Sequence, residues 1–96
     1  MAYRPIRKVT QTAINVTTAS QLILAANEAR KFAEFVNDSD TDIYITFENP
    51  AVASTGIRIS ADGFAYEIDY DALWLGDVFA IHAGTGNKKL LVREWT

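Results

Sequence analysis

The chain contains no cysteine, one histidine (His82) and one methionine (Met1). Without cysteine there is no disulfide, no thiolate nucleophile and no Cys-ligated zinc or iron–sulfur centre. A single histidine excludes a two-histidine metal site within one chain. No apolar run reaches the roughly 18 residues that a membrane-spanning helix needs. The opening Met1-Ala-Tyr-Arg-Pro-Ile-Arg-Lys8 is basic but has no apolar stretch behind it, which predicts no secretory signal peptide and synthesis in a cytoplasm. No internal repeat and no low-complexity segment is visible.

What is present is 96 residues and 10.6 kDa, 49% apolar, 11% aromatic and 22% charged. Area scaling gives such a chain roughly 5,500 Å² of folded surface, enough for one modest core. The formal net charge is −3, from nine basic and twelve acidic side chains. A free nucleic-acid binder is usually basic, so no nucleic-acid partner is expected. Arg4, Arg7 and Lys8 place three basic groups and no acid in residues 1–8, leaving six basic against twelve acidic groups in residues 9–96. This divides the chain into a short basic N-terminal arm and one acidic body.

Along the body, short apolar alternations are separated by turn residues. Residues 13–17 are β-prone. Asp42 to Glu48 alternates, with Ile43, Ile45 and Phe47 on one face and Tyr44 and Thr46 on the other. Gly56 to Ser60 sends Ile57 and Ile59 inward. Ala61-Asp62-Gly63 is a strong hairpin signal, because glycine supplies the positive φ such turns need. Phe64, Tyr66, Ile68 and Tyr70 share one face, opposite Glu67 and Asp69. Residues 71–76 read as a crossing loop anchored by Trp74. Val78–Ala83 and Lys89–Trp95 read as a final pair joined by a Gly84–Asn87 hairpin turn. Residues 19–36 admit an amphipathic helix, but Phe32, Phe35 and Val36 favour two strands. About eight short strands result. They predict an all-β, single antiparallel β-sandwich, either jelly-roll-like or immunoglobulin-like.

Candidate chemistry is sparse. Asp38, Asp40 and Asp42 have the spacing of an EF-hand opening, but Ile43 and Asn49 stand where that loop needs glycine and glutamate, so a solvated hairpin turn is expected. Glu67 and Asp69 are a carboxylate pair without a cleft. His82 has no nucleophile motif near it and reads as structural. Gly84 to Asn87 precedes a strand, and therefore lacks the helix N-terminus that cradles phosphate. No enzyme activity, metal or cofactor is expected. The aromatics Tyr44, Trp74 and Trp95 exceed what so small a core can hold, and exposed aromatics mark contact surfaces. With Tyr3, Arg4, Arg7 and Lys8 they form the expected partner-binding set. A sugar platform of Tyr44, Tyr66, Tyr70 or Trp74 is the alternative.

One resemblance adds to this. Val16-Thr-Thr-Ala-Ser-Gln-Leu-Ile-Leu-Ala-Ala-Asn27, Arg30-Lys31, Phe35-Val-Asn-Asp-Ser-Asp-Thr-Asp-Ile-Tyr-Ile-Thr-Phe47, Gly56-Ile-Arg-Ile and the turn before Tyr66-Glu67 follow in order. Together they resemble small virion proteins of tailed bacteriophages, over residues 12–95. Glu34-Phe35-Val36 departs from that group's more continuous apolar run. The resemblance implies a head decoration, or cement, protein on the outer capsid surface. Such a protein binds the major capsid protein, commonly as a homotrimer, with no membrane partner and no catalytic residue. A receptor- or glycan-binding module of a tail or fibre is the alternative.

Overall fold

The computed structural model describes residues 5–96. Its elements are β1 (Val9–Val16), β2 (Gln21–Leu24), β3 (Phe32–Asn37), β4 (Ile43–Thr46), β5 (Ile57–Ile59), β6 (Ala65–Ile68), β7 (Val78–His82) and β8 (Lys88–Trp95), with one 3₁₀ turn at Tyr70–Ala72. Two four-stranded sheets form, in the orders β1-β8-β3-β6 and β2-β7-β4-β5. Every pairing is antiparallel. The all-β sandwich expected from alternation and turn spacing is the fold of the chain. Its surface of 5620 Å² matches the size expected of one core.

The pairings are nested. β1 pairs with β8, β2 with β7, β3 with β6 and β4 with β5, as in one long antiparallel ribbon whose tip lies between β4 and β5. Rolling the ribbon brings β8 against β3 and β7 against β4, which completes the two sheets. This is the jelly-roll order, and it decides between the two sandwich types left open by strand count.

The core follows from the alternation. Ala33 and Phe35 of β3, Ile43 and Ile45 of β4, Val78 and Ala80 of β7, and Leu90 and Val92 of β8 are buried between the sheets. Each fully buried Ile, Leu, Val or Phe contributes about 1.5–3 kcal/mol. Residues 19–36 hold the two expected strands, β2 and β3, and no helix.

Three expectations need correction. The turns before β4, β6 and β8 are not hairpins, because β3, β6 and β8 belong to one sheet and β4, β5 and β7 to the other. Asp62 and Gly63 do take positive φ, 67° and 95°, but the turn carries the chain across the sandwich. A crossing turn and a hairpin turn ask for the same residues, so composition does not separate them. The first strand begins at Val9, not near residue 13, because its partner β8 continues to Trp95. Finally, Phe64 and Tyr70 are exposed at 65% and 49%. They flank a four-residue strand, so the alternation that buries Ile68 does not reach them.

Candidate functional site

The outer face of the first sheet is built in rows that the register defines. Ala65, Val36, Leu91 and Ala13 make one apolar row across β6, β3, β8 and β1. Glu67, Glu34, Arg93 and Gln11 make the next, and Phe32, Trp95 and Val9 the third. Glu34 and Glu67 stand directly opposite, an unfavourable like-charge pair. Arg93 offsets it by donating to Glu34 Oε1 and Gln11 Oε1, each at 3.0 Å. Trp95 packs against Phe32 in an edge-on contact, with centroids 4.8 Å apart. A shallow open depression lies over β1 and β8 between Gln11, Ala13, Leu91 and Arg93.

Arg7 and Lys8 are exposed at the Trp95 end of the first sheet, where Lys8 shares the inner-face parity of Thr10 and Thr12. Lys8 and Thr96 exchange backbone hydrogen bonds of 3.0 and 2.8 Å, and Arg7 N–H also donates to Thr96. The backbone that carries the two basic residues is thus held to the sheet, next to exposed Ile6 and Val9. Tyr3 and Arg4 lie outside the described residues.

The same end holds a buried cation that sequence analysis assigned no role. The Arg30 side chain is fully buried and donates from Nε to Glu94 Oε2 at 2.8 Å. Its remaining nitrogens donate to the carbonyls of Trp74, Gly76 and Ala25 at 2.7, 3.1 and 2.7 Å. A guanidinium, with its fixed fork of five donors, suits this convergence of loop carbonyls. Arg30 thereby joins the 74–77 loop to the ends of β2 and β8. Trp74 is 37% exposed. It stacks on Phe47 with centroids 5.1 Å apart and donates from Nε1 to the Asp77 carbonyl. A side chain at Gly76 would meet the Trp74 ring at 2.5 Å, so glycine allows the indole to fold back across the loop.

The expected set is therefore divided. Arg7, Lys8 and Trp95 come together, Trp74 lies at the same end through Arg30, and Tyr44 lies apart. Tyr44 is half-buried on the outer face of the second sheet, between Ile81 and Arg58. The alternative sugar platform is also dispersed, because Tyr66 turns inward to pack on the core and Tyr70 sits in the 3₁₀ turn. Exposed Leu22, Val52 and Phe64 were not anticipated as surface groups. Leu22 lies within the short β2, Phe64 directly precedes β6, and Val52 sits in the loop between β4 and β5.

The polar candidates serve local structure. Asp42 Oδ1 accepts from Ala61 N–H at 3.0 Å, and Asp69 Oδ1 caps the 3₁₀ turn through Asp71 N–H. Asp69 thus lies beyond the end of β6, so the carboxylate pair expected from alternation does not share one strand. Asp40 accepts from Lys88 at 2.8 Å and from Thr41 at 2.9 Å. The hydrogen bond from Lys88, then that from Thr41, hold its carboxyl below the usual carboxylate range. His82 is buried and faces away from Phe79 and Ile81. Its Nδ1 accepts from Gly84 N–H at 3.0 Å, which leaves the proton on Nε2 for the Gly86 carbonyl at 2.7 Å. Asn37 is likewise buried and donates to the Thr41 and Ile59 carbonyls, both at 2.8 Å. Among the described residues no group of three or more His, Cys, Asp or Glu is placed to hold a metal ion. Nor is any helix there long and apolar enough to cross a membrane.

No family model, curated protein or solved structure matches this chain.

Proposed function

We propose that the protein is a bacteriophage capsid decoration protein, which binds the major capsid protein on the outer surface of the head and stabilises the shell by contact alone. The observation that carries this is the end of the first sheet. There Arg7 and Lys8 stand beside exposed Ile6 and Val9 and half-buried Trp95, on a chain that is otherwise acidic. Basic and apolar groups side by side fit an acidic, partly apolar protein patch. The acidic remainder discourages indiscriminate association. Burial of apolar area at about 25 cal/mol per Å² across many equivalent sites raises the cost of pulling the shell apart.

The test is co-sedimentation with purified, expanded empty capsids. The protein is expected to be retained, and the charge reversal Arg7→Glu with Lys8→Glu to weaken retention by about tenfold or more, since interfacial charge pairs contribute at that scale. Those substitutions keep the backbone bonds to Thr96, so the fold is preserved. Retention on cell-envelope glycans, with none on capsids, would overturn the proposal in favour of a receptor-binding module.

A further inference from the structure

Sheet edges present unpaired backbone groups and are normally short, charged, bulged or covered. Three of the four edges here follow that rule. β5 has three residues and carries Arg58, β6 has four and carries Glu67, and β2 has four with a register shift between Leu22 and Leu24. β1 does not. It runs eight residues, Val-Thr-Gln-Thr-Ala-Ile-Asn-Val, with no charge, proline or glycine and an unbroken register against β8. Val9 to Ala13 are exposed residue by residue, so neither sheet face of this stretch is covered.

The hydrogen-bond parity identifies which groups are open. Lys8 and Thr96 form a doubly bonded pair, so the even-numbered residues of β1 bond to β8 and the odd-numbered ones point outward. The Trp95 carbonyl accepts from Lys31, on the other side of β8, which agrees with this parity. The open stretch is bounded at both ends. Arg7 N–H is taken by Thr96, and the Asn15 carbonyl by Gln21 Nε2 at 2.9 Å. Val9, Gln11 and Ala13 remain with both N–H and C=O facing out, a stretch centred on Gln11.

We infer that this edge pairs with the same edge of a second copy of this chain, antiparallel about a two-fold axis at Gln11. That register maps the open stretch onto itself. Ala13 faces Val9 of the second copy, Gln11 faces Gln11, and every outward N–H and C=O of the three residues finds a partner. The rows of the outer face also continue. The apolar row ending in Ala13 meets the apolar row ending in Val9, and the polar row ending in Gln11 meets its own copy. On the inner face Thr10 pairs with Thr12, a favourable cross-strand combination. Charge on the strand itself does not oppose a self-partner. The chain carries a net −3, yet the paired strands bring no charge of their own to the seam. The product is one continuous eight-stranded sheet, in order β6-β3-β8-β1-β1-β8-β3-β6. This inference does not rest on the capsid proposal, and it assigns a two-fold in place of the trimer implied by the resemblance.

Sedimentation equilibrium of the full chain over a dilution series tests it. The expected mass tends to twice 10.6 kDa at high concentration and falls on dilution. The amides of Val9, Gln11 and Ala13 are expected to gain hydrogen-exchange protection with concentration, while those of Thr10 and Thr12 are protected throughout. Ala13→Pro removes only an outward N–H, and edge positions tolerate proline, so it is expected to leave a folded monomer. Gln11→Glu keeps an acceptor for Arg93 but sets two carboxylates face to face, and is expected to weaken the dimer by about tenfold or more. A monomer at every concentration, a trimer, or a dimer that persists in both variants would overturn the pairing. Should Ala13→Pro fail to fold, Gln11→Glu and the wild-type exchange pattern decide alone.

Discussion

The two ends of the sandwich face the same physical problem and handle it differently. Where sheet ladders stop, loop carbonyls turn inward and need donors. At the tryptophan end a buried guanidinium, Arg30, collects three of them and is neutralised by Glu94. At the turn end the donors are neutral: Asn37 holds the Thr41 and Ile59 carbonyls, and His82 holds Gly86. A charge serves more acceptors from one position but must be kept out of water with a counter-charge. A neutral amide serves fewer and leaves no charge behind when it is lost. The end that carries the proposed contact surface is thus the one with more stored electrostatic cost.

Breaking the first end should cost most. Arg30→Met leaves Glu94 without its cation and three carbonyls without a donor, and is expected to destabilise by about 3–5 kcal/mol in chemical denaturation. A loss under about 1 kcal/mol would show that the guanidinium is not needed to hold the loop. At the other end, Asn37→Ala is expected to cost about 2 kcal/mol, because two carbonyls lose a donor but no charge is stranded. Equal losses at the two positions would remove the distinction between charged and neutral holding. Gly76→Ala sharpens the comparison within the tryptophan end. It displaces the Trp74 ring from Phe47 at an expected cost of about 1–2 kcal/mol, visible as a red shift in tryptophan emission. Emission unchanged from wild type would contradict that steric role.

The smallest effect belongs to the exposed pair of Asp40 and Lys88. Because Asp40 has a lowered pKa when folded, its contribution is present above the unfolded pKa and is lost as pH falls through the folded one. Lys88→Ala is expected to raise the Asp40 pKa toward the ordinary value, measured by NMR titration, with no resolvable change in stability at neutral pH. A large drop in stability would place this pair on a par with Arg30.

The fold class was legible because Ile43, Ile45, Ile59, Ile68, Leu90 and Val92 obey a period of two, and one buried face imposes that period. Strand order was not, since the turns after Asn37, Ile59 and His82 have hairpin composition yet cross between sheets. Of the proposed contact surface, the basic pair Arg7 and Lys8 and the tryptophans were singled out from charge and core size. Arg30 was not, because a lone arginine between two strands looks like a solvated residue until the carbonyls around it are known. The open edge at β1 escaped notice for a related reason. An uncharged strand is informative only once it is known to lie at an edge.

The nested pairing also orders events in time. Closing a loop costs more as it lengthens, so the ribbon is expected to zip from the β4–β5 tip, its most local pairing, toward β1 and β8, its most distant. The strand offered to a second copy would then be the last added during folding and the first to fray. Pulse-labelled hydrogen exchange should find the Thr10 and Thr12 amides protected later than those of β4, and simultaneous protection would argue for a concerted closure instead.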